Sequence, residues 1–157
     1  MTTTATTQLL PLLETAAILR DAGGPGRVAL TESSIRAGEM PPLHAHEADE
    51  AVRVLEGRLT VYAGGEAVEG EAGDTYVVPR GMAHTHRADS ERARYATASF
   101  VRSAARYEDF ARAVARPAGG WTSPEELATL AAIAAPNAIA ILGPPGTFPR
   151  VASEHAA

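Results

Sequence analysis

The sequence predicts an all-β fold, an antiparallel β-barrel of the jelly-roll type, followed by C-terminal amphipathic helices. Between residues 27 and 101 the chain is a series of short β-rich segments, several of them alternating apolar and polar residues, separated by glycine or proline. After residue 101 the apolar residues recur at helical spacing instead. With 157 residues, 45% of them hydrophobic, the chain is long enough to build one domain around one core.

The composition excludes several classes of function. The net charge of -5 argues against nucleic acid or an anionic membrane as a partner, so we expect neither. All fourteen basic residues are arginine, which excludes a lysine Schiff base, and the lack of cysteine excludes thiolate metal ligands and cysteine nucleophiles. Any metal must therefore be held by nitrogen and oxygen atoms. We predict a cytoplasmic protein.

Residues 1–26 are predicted to form an N-terminal segment ahead of the barrel. Its apolar stretch at residues 9–19 is interrupted by Pro11 and Glu14 and is too short to cross a bilayer. This stretch could be a short helix or an extended segment, and glycines around Pro25 predict a turn after it. The barrel itself is predicted over residues 27–101, with strands at residues 27–34, 50–55, 58–62, 75–78 and 94–101.

Residues 102–150 are predicted to form a helical extension that packs on the barrel. Tyr107, Phe110 and Val114 repeat at helical spacing, which predicts an amphipathic helix over residues 105–115. Ser123, Pro124 and Glu126 form the pattern of a capping box with proline at the first helical position, so a second helix should begin there and end at Pro136. The stretch at residues 143–146 is predicted to be irregular and residues 151–157 to be a flexible tail.

The first motif with chemical content is Gly38, His44, Ala45, His46, Glu50 and Gly57. On a strand, two histidines at i and i+2 project from the same face with their origins about 7 Å apart, so both rings can reach one ion. Glu50 begins the next strand beyond a short acidic turn and can present an oxygen to the same point. Gly57 is predicted to supply a hairpin turn.

The second motif is Gly73, Pro79, Arg80, Gly81 and His84. Pro79 and Gly81 predict a tight turn, and His84 follows at the start of a new strand, where it can supply a third imidazole. Three nitrogens and one carboxylate oxygen suit one divalent transition metal ion. Nickel, iron, manganese, cobalt, copper and zinc all remain open.

Together these residues resemble the two signature motifs of the cupin superfamily. The resemblance implies a cupin-type barrel, a metal ion held by His44, His46, Glu50 and His84, and a homodimer. The sequence departs from the family pattern at Ala88, where the second motif often ends in an asparagine that is not a metal ligand.

Residues on strand faces shared with the ligands are candidates for a substrate pocket. If Ala96, Ala98 and Phe100 face inward, the cavity is apolar with one charged corner at the metal, which suits a small apolar or aromatic substrate. His86 shares the face of His84 and is either a pocket base or an ordinary polar residue near the barrel mouth, and we favour the latter. The candidate pocket residues are Val52, Val54, Tyr76, Val78, His86 and Phe100.

The order of one barrel, two helices and a tail at residues 141–145 resembles bacterial single-domain cupins related to quercetin dioxygenase. This resemblance implies a dioxygenase that uses O2 to open a flavonol ring, with Glu50 accepting the proton of the substrate hydroxyl as its catalytic residue. Two alternatives stay open. One is a non-oxidative cyclase or isomerase acting on a polyketide-like metabolite, and the other is a non-catalytic small-molecule-binding cupin.

Overall fold

The computed structural model describes residues 8–12, 15–21, 27–101, 110 and 121–150. Within these residues the chain forms two antiparallel β-sheets that face each other and one α-helix, as the predicted fold class requires. The first sheet contains, in spatial order, β1 (Gln8–Leu12), β2 (Thr15–Asp21), β3 (Arg27–Arg36), β10 (Arg92–Val101), β5 (Glu50–Glu56) and β8 (Thr75–Val78). The second sheet contains β11 (Ile139–Gly143), β4 (Leu43–His46), β9 (His84–Ala88), β6 (Arg58–Ala63) and β7 (Glu66–Glu71).

All five predicted barrel strands are present, each within two residues of its predicted ends. Of the two conformations left open for residues 9–19, the extended one is found, because β1 and β2 pair as an antiparallel hairpin that continues the first sheet beside β3. Strand β7 was not predicted, since its residues are almost all exposed and therefore show no alternation of apolar and polar side chains.

Gly57 does not form the predicted hairpin. Strand β5 pairs with β8 and β10, whereas the next strand, β6, pairs with β7 and β9 in the other sheet. Gly57 therefore lies where the chain passes from one sheet to the other. Its φ of 76° and the close approach of the Arg92 carbonyl oxygen leave no room for a side chain, so glycine is required there.

The second predicted helix is confirmed as α1 (Pro124–Ala134), followed by one 3₁₀ turn (Ala135–Asn137). Its capping box is complete, because Ser123 Oγ accepts from the Glu126 N–H at 3.2 Å and the Glu126 carboxylate accepts from the Ser123 N–H at 3.0 Å. The chain then forms β11, which was not predicted. Of the predicted helix at residues 105–115 the structure describes only Phe110, which is helical, and the predicted tail at residues 151–157 lies outside the described residues.

The main core fills the space between the two sheets. Its members are valine, leucine, isoleucine, alanine and tyrosine side chains with almost no exposed surface: Ile35, Val52, Val54, Leu59, Val61, Val78, Ala88, Ala93 and Tyr95. A second, smaller core joins α1 to β11 through Trp121, Leu130 and Ile141, with Phe110 packed against it. Burial of apolar surface in these two cores holds the sheets and the C-terminal elements in place.

Candidate metal centre

Four ionisable side chains meet at one end of the space between the sheets. His44 and His46 lie on β4, and His84, the first residue of β9, is the cross-strand partner of His44. Glu50 begins β5 in the opposite sheet. One potential ligand atom from each of the four lies within 4.8 Å of the others. These residues, called the metal-site cluster below, are the four that the two sequence motifs predict.

Backbone contacts fix the orientation of all three histidine rings. A carbonyl oxygen can only accept a hydrogen bond, so each Nδ1 must carry the ring proton and donate it. Each ring then turns its Nε2 toward the other members of the cluster. The Nδ1 donors and their acceptors are His44 to Pro42 O at 2.9 Å, His46 to Ala48 O at 2.7 Å, and His84 to Met82 O at 2.8 Å.

The cluster is largely buried, and one of its nitrogen atoms lacks a hydrogen-bond partner among the described residues. His84 is 1% exposed and Glu50 is 8% exposed. The Nε2 of His46 is buried and has no hydrogen-bond partner among the described residues; Oε2 of Glu50 is 3.7 Å away from it. An inward-facing lone pair, close to two further imidazoles and a carboxylate, is what a metal ion requires of its ligands, so the residues present fit a divalent ion.

Glu50 is held as a carboxylate. Burial alone would raise the pKa of Glu50, but the close approach of His46 and His84 outweighs it and brings the pKa well below the ordinary value. Oε2 of Glu50 lies 3.2 Å from the Nε2 of His84, while Oε1 accepts a hydrogen bond from Ser99 Oγ at 3.1 Å. Ser99 therefore orients the carboxylate through Oε1 while Oε2 faces His84, a role that the sequence analysis missed.

Burial and nearby charges shift the pKa values of His44 and His46 in opposite directions. Burial, reinforced by His84, lowers the pKa of His44 to about 4. Burial also opposes a charge on His46, but the nearby carboxylate of Glu50 outweighs it and raises the pKa of His46. His44 is thus neutral near pH 7, in the form that binds a metal ion.

Hydrogen bonds connect the segment between His46 and Glu50 to the turn that precedes His84. The N–H of Gly81 donates to the carbonyl oxygen of His46 at 2.8 Å, and the N–H of Arg80 donates to the Asp49 carboxylate at 2.9 Å. Asp49 also pairs with the Arg80 guanidinium at 3.3 Å, and these contacts lower the pKa of Asp49. The sequence analysis assigned no role to Asp49, because acidic residues in turns are usually solvated.

His86 is buried between the sheets, whereas our preferred interpretation was an ordinary polar residue near the barrel mouth. It is 5% exposed, and its ring packs edge-on against the Tyr95 ring with the centroids 4.4 Å apart. Burial lowers the pKa of His86 to about 3, so the ring is neutral. Neither ring nitrogen has a hydrogen-bond partner among the described residues.

The inward face of β10 is opposite to the one on which the apolar cavity was predicted. Tyr95 and Ser99 are the buried residues, and Ser99 contacts Glu50, whereas Ala96 and Ala98 are only partly buried on the other face. The side chain of Phe100 lies outside the described part of the chain. Val52, Val54 and Val78 are buried in the main core, with Tyr76 partly buried against it, and their contact with a substrate stays a prediction.

The sequence and the fold both resemble known proteins. Residues 31–98 match the family model of the cupin domain, and the two sheets form a cupin jelly roll. An RmlC-like cupin from Shewanella frigidimarina has 18% identity and a TM-score of 0.52, with 65% of this chain and 91% of that chain covered. The polyketide cyclase RemF from Streptomyces resistomycificus has 21% identity and a TM-score of 0.50, with coverage of 64% and 78%.

KdgF from Halomonas sp. has 18% identity and a TM-score of 0.50, with 55% of this chain and 78% of that chain covered. At these identities the likeness concerns the fold alone. No curated protein sequence matches the chain significantly. The match to the cupin family model covers residues 31–98, which is less than half of the chain. Among the described residues, no helix has the length and hydropathy needed to traverse a bilayer.

Proposed function

We propose that this protein is a metal-dependent enzyme that binds one divalent transition metal ion through His44, His46, Glu50 and His84. The observation that carries the proposal is the set of three Nδ1 tethers, which leave three Nε2 atoms facing one ionised carboxylate. The favoured reaction is a dioxygenation of an aromatic, flavonol-like molecule of the quercetin type, with O2 as co-substrate. The identity of the metal is left open among nickel, iron, manganese, cobalt, copper and zinc.

The residues of the cluster have separate tasks in this proposal. A bound divalent ion would supply Lewis acidity and so lower the pKa of a substrate hydroxyl group. Glu50 both ligates and, as the catalytic residue, accepts the hydroxyl proton, because its carboxylate is ionised and buried beside the site. Ser99 keeps Oε1 of this carboxylate in place through its hydrogen bond.

A specific observation favours a second candidate, a non-oxidative cyclase or isomerase. His86 is a buried, neutral imidazole on the inward face of β9, so the barrel interior combines the Glu50 carboxylate, which can take a proton, with a ring that can hydrogen-bond to a substrate oxygen. Proton movement between two carbon or oxygen atoms of a substrate needs such a pair and no O2. A non-catalytic binding cupin would retain its ligand unchanged.

The first experiment measures bound metal by mass spectrometry in untagged wild-type protein and in the His44→Ala variant. The control is Ser34→Ala, which removes a buried hydroxyl outside the cluster. About one equivalent of metal in wild type and control, lost in His44→Ala, is the expected result. If wild type takes up no metal even after soaking, the proposal is wrong.

Oxygen uptake then separates the candidate reactions. Consumption of O2 with quercetin-type flavonols supports the dioxygenase. Substrate conversion without O2 consumption supports the cyclase or isomerase, and stoichiometric zinc would point the same way, because zinc has no redox chemistry of its own. Binding without conversion under either condition contradicts both enzyme proposals.

The homodimer and the cytoplasmic location are also kept as proposals. In support of the dimer, one cross-strand row on the outer face of the first sheet is apolar: Leu30, Ala98, Ala51 and Val77. Val77 is 69% exposed and lies on the edge strand β8, where a partner would cover it. Light scattering on wild type and Val77→Glu tests this; a monomeric wild type contradicts it.

A further inference from the structure

His86 stands out among the described residues because it is buried with both ring nitrogens unpartnered. Ser34 and His46 each leave one buried side-chain atom without a partner, and the His46 atom faces the metal-site cluster. His86 lies two residues beyond His84 on β9, on the same inward face, opposite Val61 of β6. Its ring is therefore inside the barrel, about 7 Å along the strand from His84.

An imidazole in this position is costly unless something reaches it. Leaving a buried donor or acceptor unsatisfied costs about 1–3 kcal/mol, and native proteins pair the great majority of such groups. A neutral imidazole offers one donor and one acceptor, so one polar group of a ligand can satisfy either nitrogen. A purely structural role would be served as well by phenylalanine, which packs on Tyr95 without the polar atoms.

The wall beside His86 is hydroxylated and not apolar. On the inner faces of β3 and β10, Thr31 and Thr97 are cross-strand partners whose hydroxyl oxygens are 2.6 Å apart, and the next pair, Ser33 and Tyr95, is joined by a side-chain hydrogen bond. Thr31 and Thr97 are only partly buried, although Val52, the other neighbour of Thr97, is fully buried. Val52 and Val54 continue the same sheet on β5, and Val61 lies in the other sheet beside His86.

We propose that His86 is a substrate-binding residue that accepts or donates a hydrogen bond to a second polar group on the substrate. The substrate is then a flat ring compound with oxygen atoms at one end for the metal-site cluster and a hydrogen-bonding group at the other end for His86. Its ring lies between the hydroxylated wall of β3 and β10 in one sheet and Val61 in the other. This inference rests on the proposed metal site and narrows the substrate from any apolar molecule to one with two separated polar ends.

The test uses two probes that differ only at the His86 end. One is a catechol with a carboxamide para to a hydroxyl group, and the other carries a methyl group at that position. Each is titrated without oxygen into cobalt-loaded protein, and the dissociation constant is read from the visible spectrum of the cobalt. Wild type should bind the carboxamide about tenfold more tightly than the methyl compound, which corresponds to one hydrogen bond to a buried partner.

The variant His86→Phe should abolish this preference while it leaves the cobalt content and the affinity for the methyl compound unchanged. Ser34→Ala is the matched control, since it removes another buried unpartnered polar atom but lies away from the barrel interior, and it should keep the tenfold preference. His86→Phe should also raise the melting temperature of the ligand-free cobalt protein, because two unsatisfied nitrogens are removed.

A second measurement does not depend on a folded variant. In zinc-loaded wild type with isotope-labelled histidine rings, the nitrogen signals of His86 should shift with the carboxamide and not with the methyl compound. Equal affinities in wild type, a preference that survives His86→Phe, or unmoved His86 signals would each overturn the inference while the metal site stands. Wild type that binds no cobalt would overturn the metal proposal, and this inference with it.

Discussion

Each histidine of the metal-site cluster donates its Nδ1 proton to a carbonyl oxygen two residues away along the chain. This short-range pattern sets the orientation of each ring before any ion arrives, with Nε2 as the atom that faces the cluster. Glu50 depends on a more distant residue, because the hydrogen bond to its Oε1 comes from Ser99, 49 positions later in the chain. The carboxylate is therefore the ligand whose orientation is easiest to disturb without a change to a ligand itself.

Ser99→Ala should weaken metal binding about tenfold, because Oε1 of Glu50 loses its buried donor and the carboxylate can rotate away from the cluster. Competition with a chelating dye measures the affinity. Ser34→Ala serves as the control for removal of a buried hydroxyl group. If Ser99→Ala binds metal as tightly as wild type, the hydrogen bond does not position Glu50.

At the level of secondary-structure elements, the cluster depends on parts that carry none of its ligands. Strand β4, which bears His44 and His46, pairs with β11. The N–H of Glu47, just after β4, donates to the carbonyl oxygen of Ala138, just before β11. Strand β11 is in turn held by α1 through Trp121, Leu130 and Ile141. The C-terminal extension thus supports the ligand strand and is more than a cover for the barrel.

Ile141→Asp should destabilise the protein by about 2–4 kcal/mol and weaken metal binding, because it places a charge in the smaller core at the cross-strand partner of His44. Leu142→Asp is the matched control, since Leu142 is 51% exposed on the other face of the same strand. Urea denaturation and metal titration give the two quantities. Equal effects of the two substitutions would show that β11 does not support β4.

The turn between β8 and β9 is a second supporting element. Asp49→Ala should weaken metal binding several-fold, because it frees the Arg80 N–H and loosens the turn that leads to His84. Arg80→Ala should have little effect, since the backbone N–H remains and the lost guanidinium is 72% exposed. A larger loss in Arg80→Ala than in Asp49→Ala would contradict this assignment, and the same dye competition decides between them.

For the whole molecule, the buried histidines couple stability to pH. Burial lowers the pKa of His44 from 6.5 to about 4 and that of His86 from 6.5 to about 3. As the pH falls below 6.5 the unfolded chain binds protons that the folded chain excludes, so the free energy of unfolding falls with it. The depressed pKa of Glu50 acts in the same direction below its ordinary value, and the raised pKa of His46 acts against both.

Metal-free protein should therefore lose stability between about pH 6.5 and pH 4, by about 1.4 kcal/mol per pH unit for each ring that stays neutral. Urea denaturation in the presence of a chelator, repeated at several pH values, measures this slope. His86→Phe should reduce the slope of stability against pH, because it removes one of the two rings that take up a proton only in the unfolded chain. A stability that is constant or rises as the pH falls would contradict the prediction.

The sequence by itself determined the features that depend on neighbours along the chain. Two histidines at i and i+2 must share a face of a strand, and the four ligands fall within two compact motifs, so all four members of the cluster could be named. The capping box at Ser123 is equally local, since its two hydrogen bonds span three residues. Alternation likewise placed Glu50, Val52 and Val54 on one buried face of β5 and Arg53 on its exposed face.

Only the tertiary structure decided the features that depend on distant parts of the chain. On β10 both alternating sets contain small residues, so periodicity shows two faces but not that Tyr95 and Ser99 face inward. The role of Ser99 needs the register of β10 against β5, and the burial of His86 needs the opposite sheet. Strand β11 exists because β4 offers it an edge, and pairing across about 95 residues leaves no periodic signal in the local sequence.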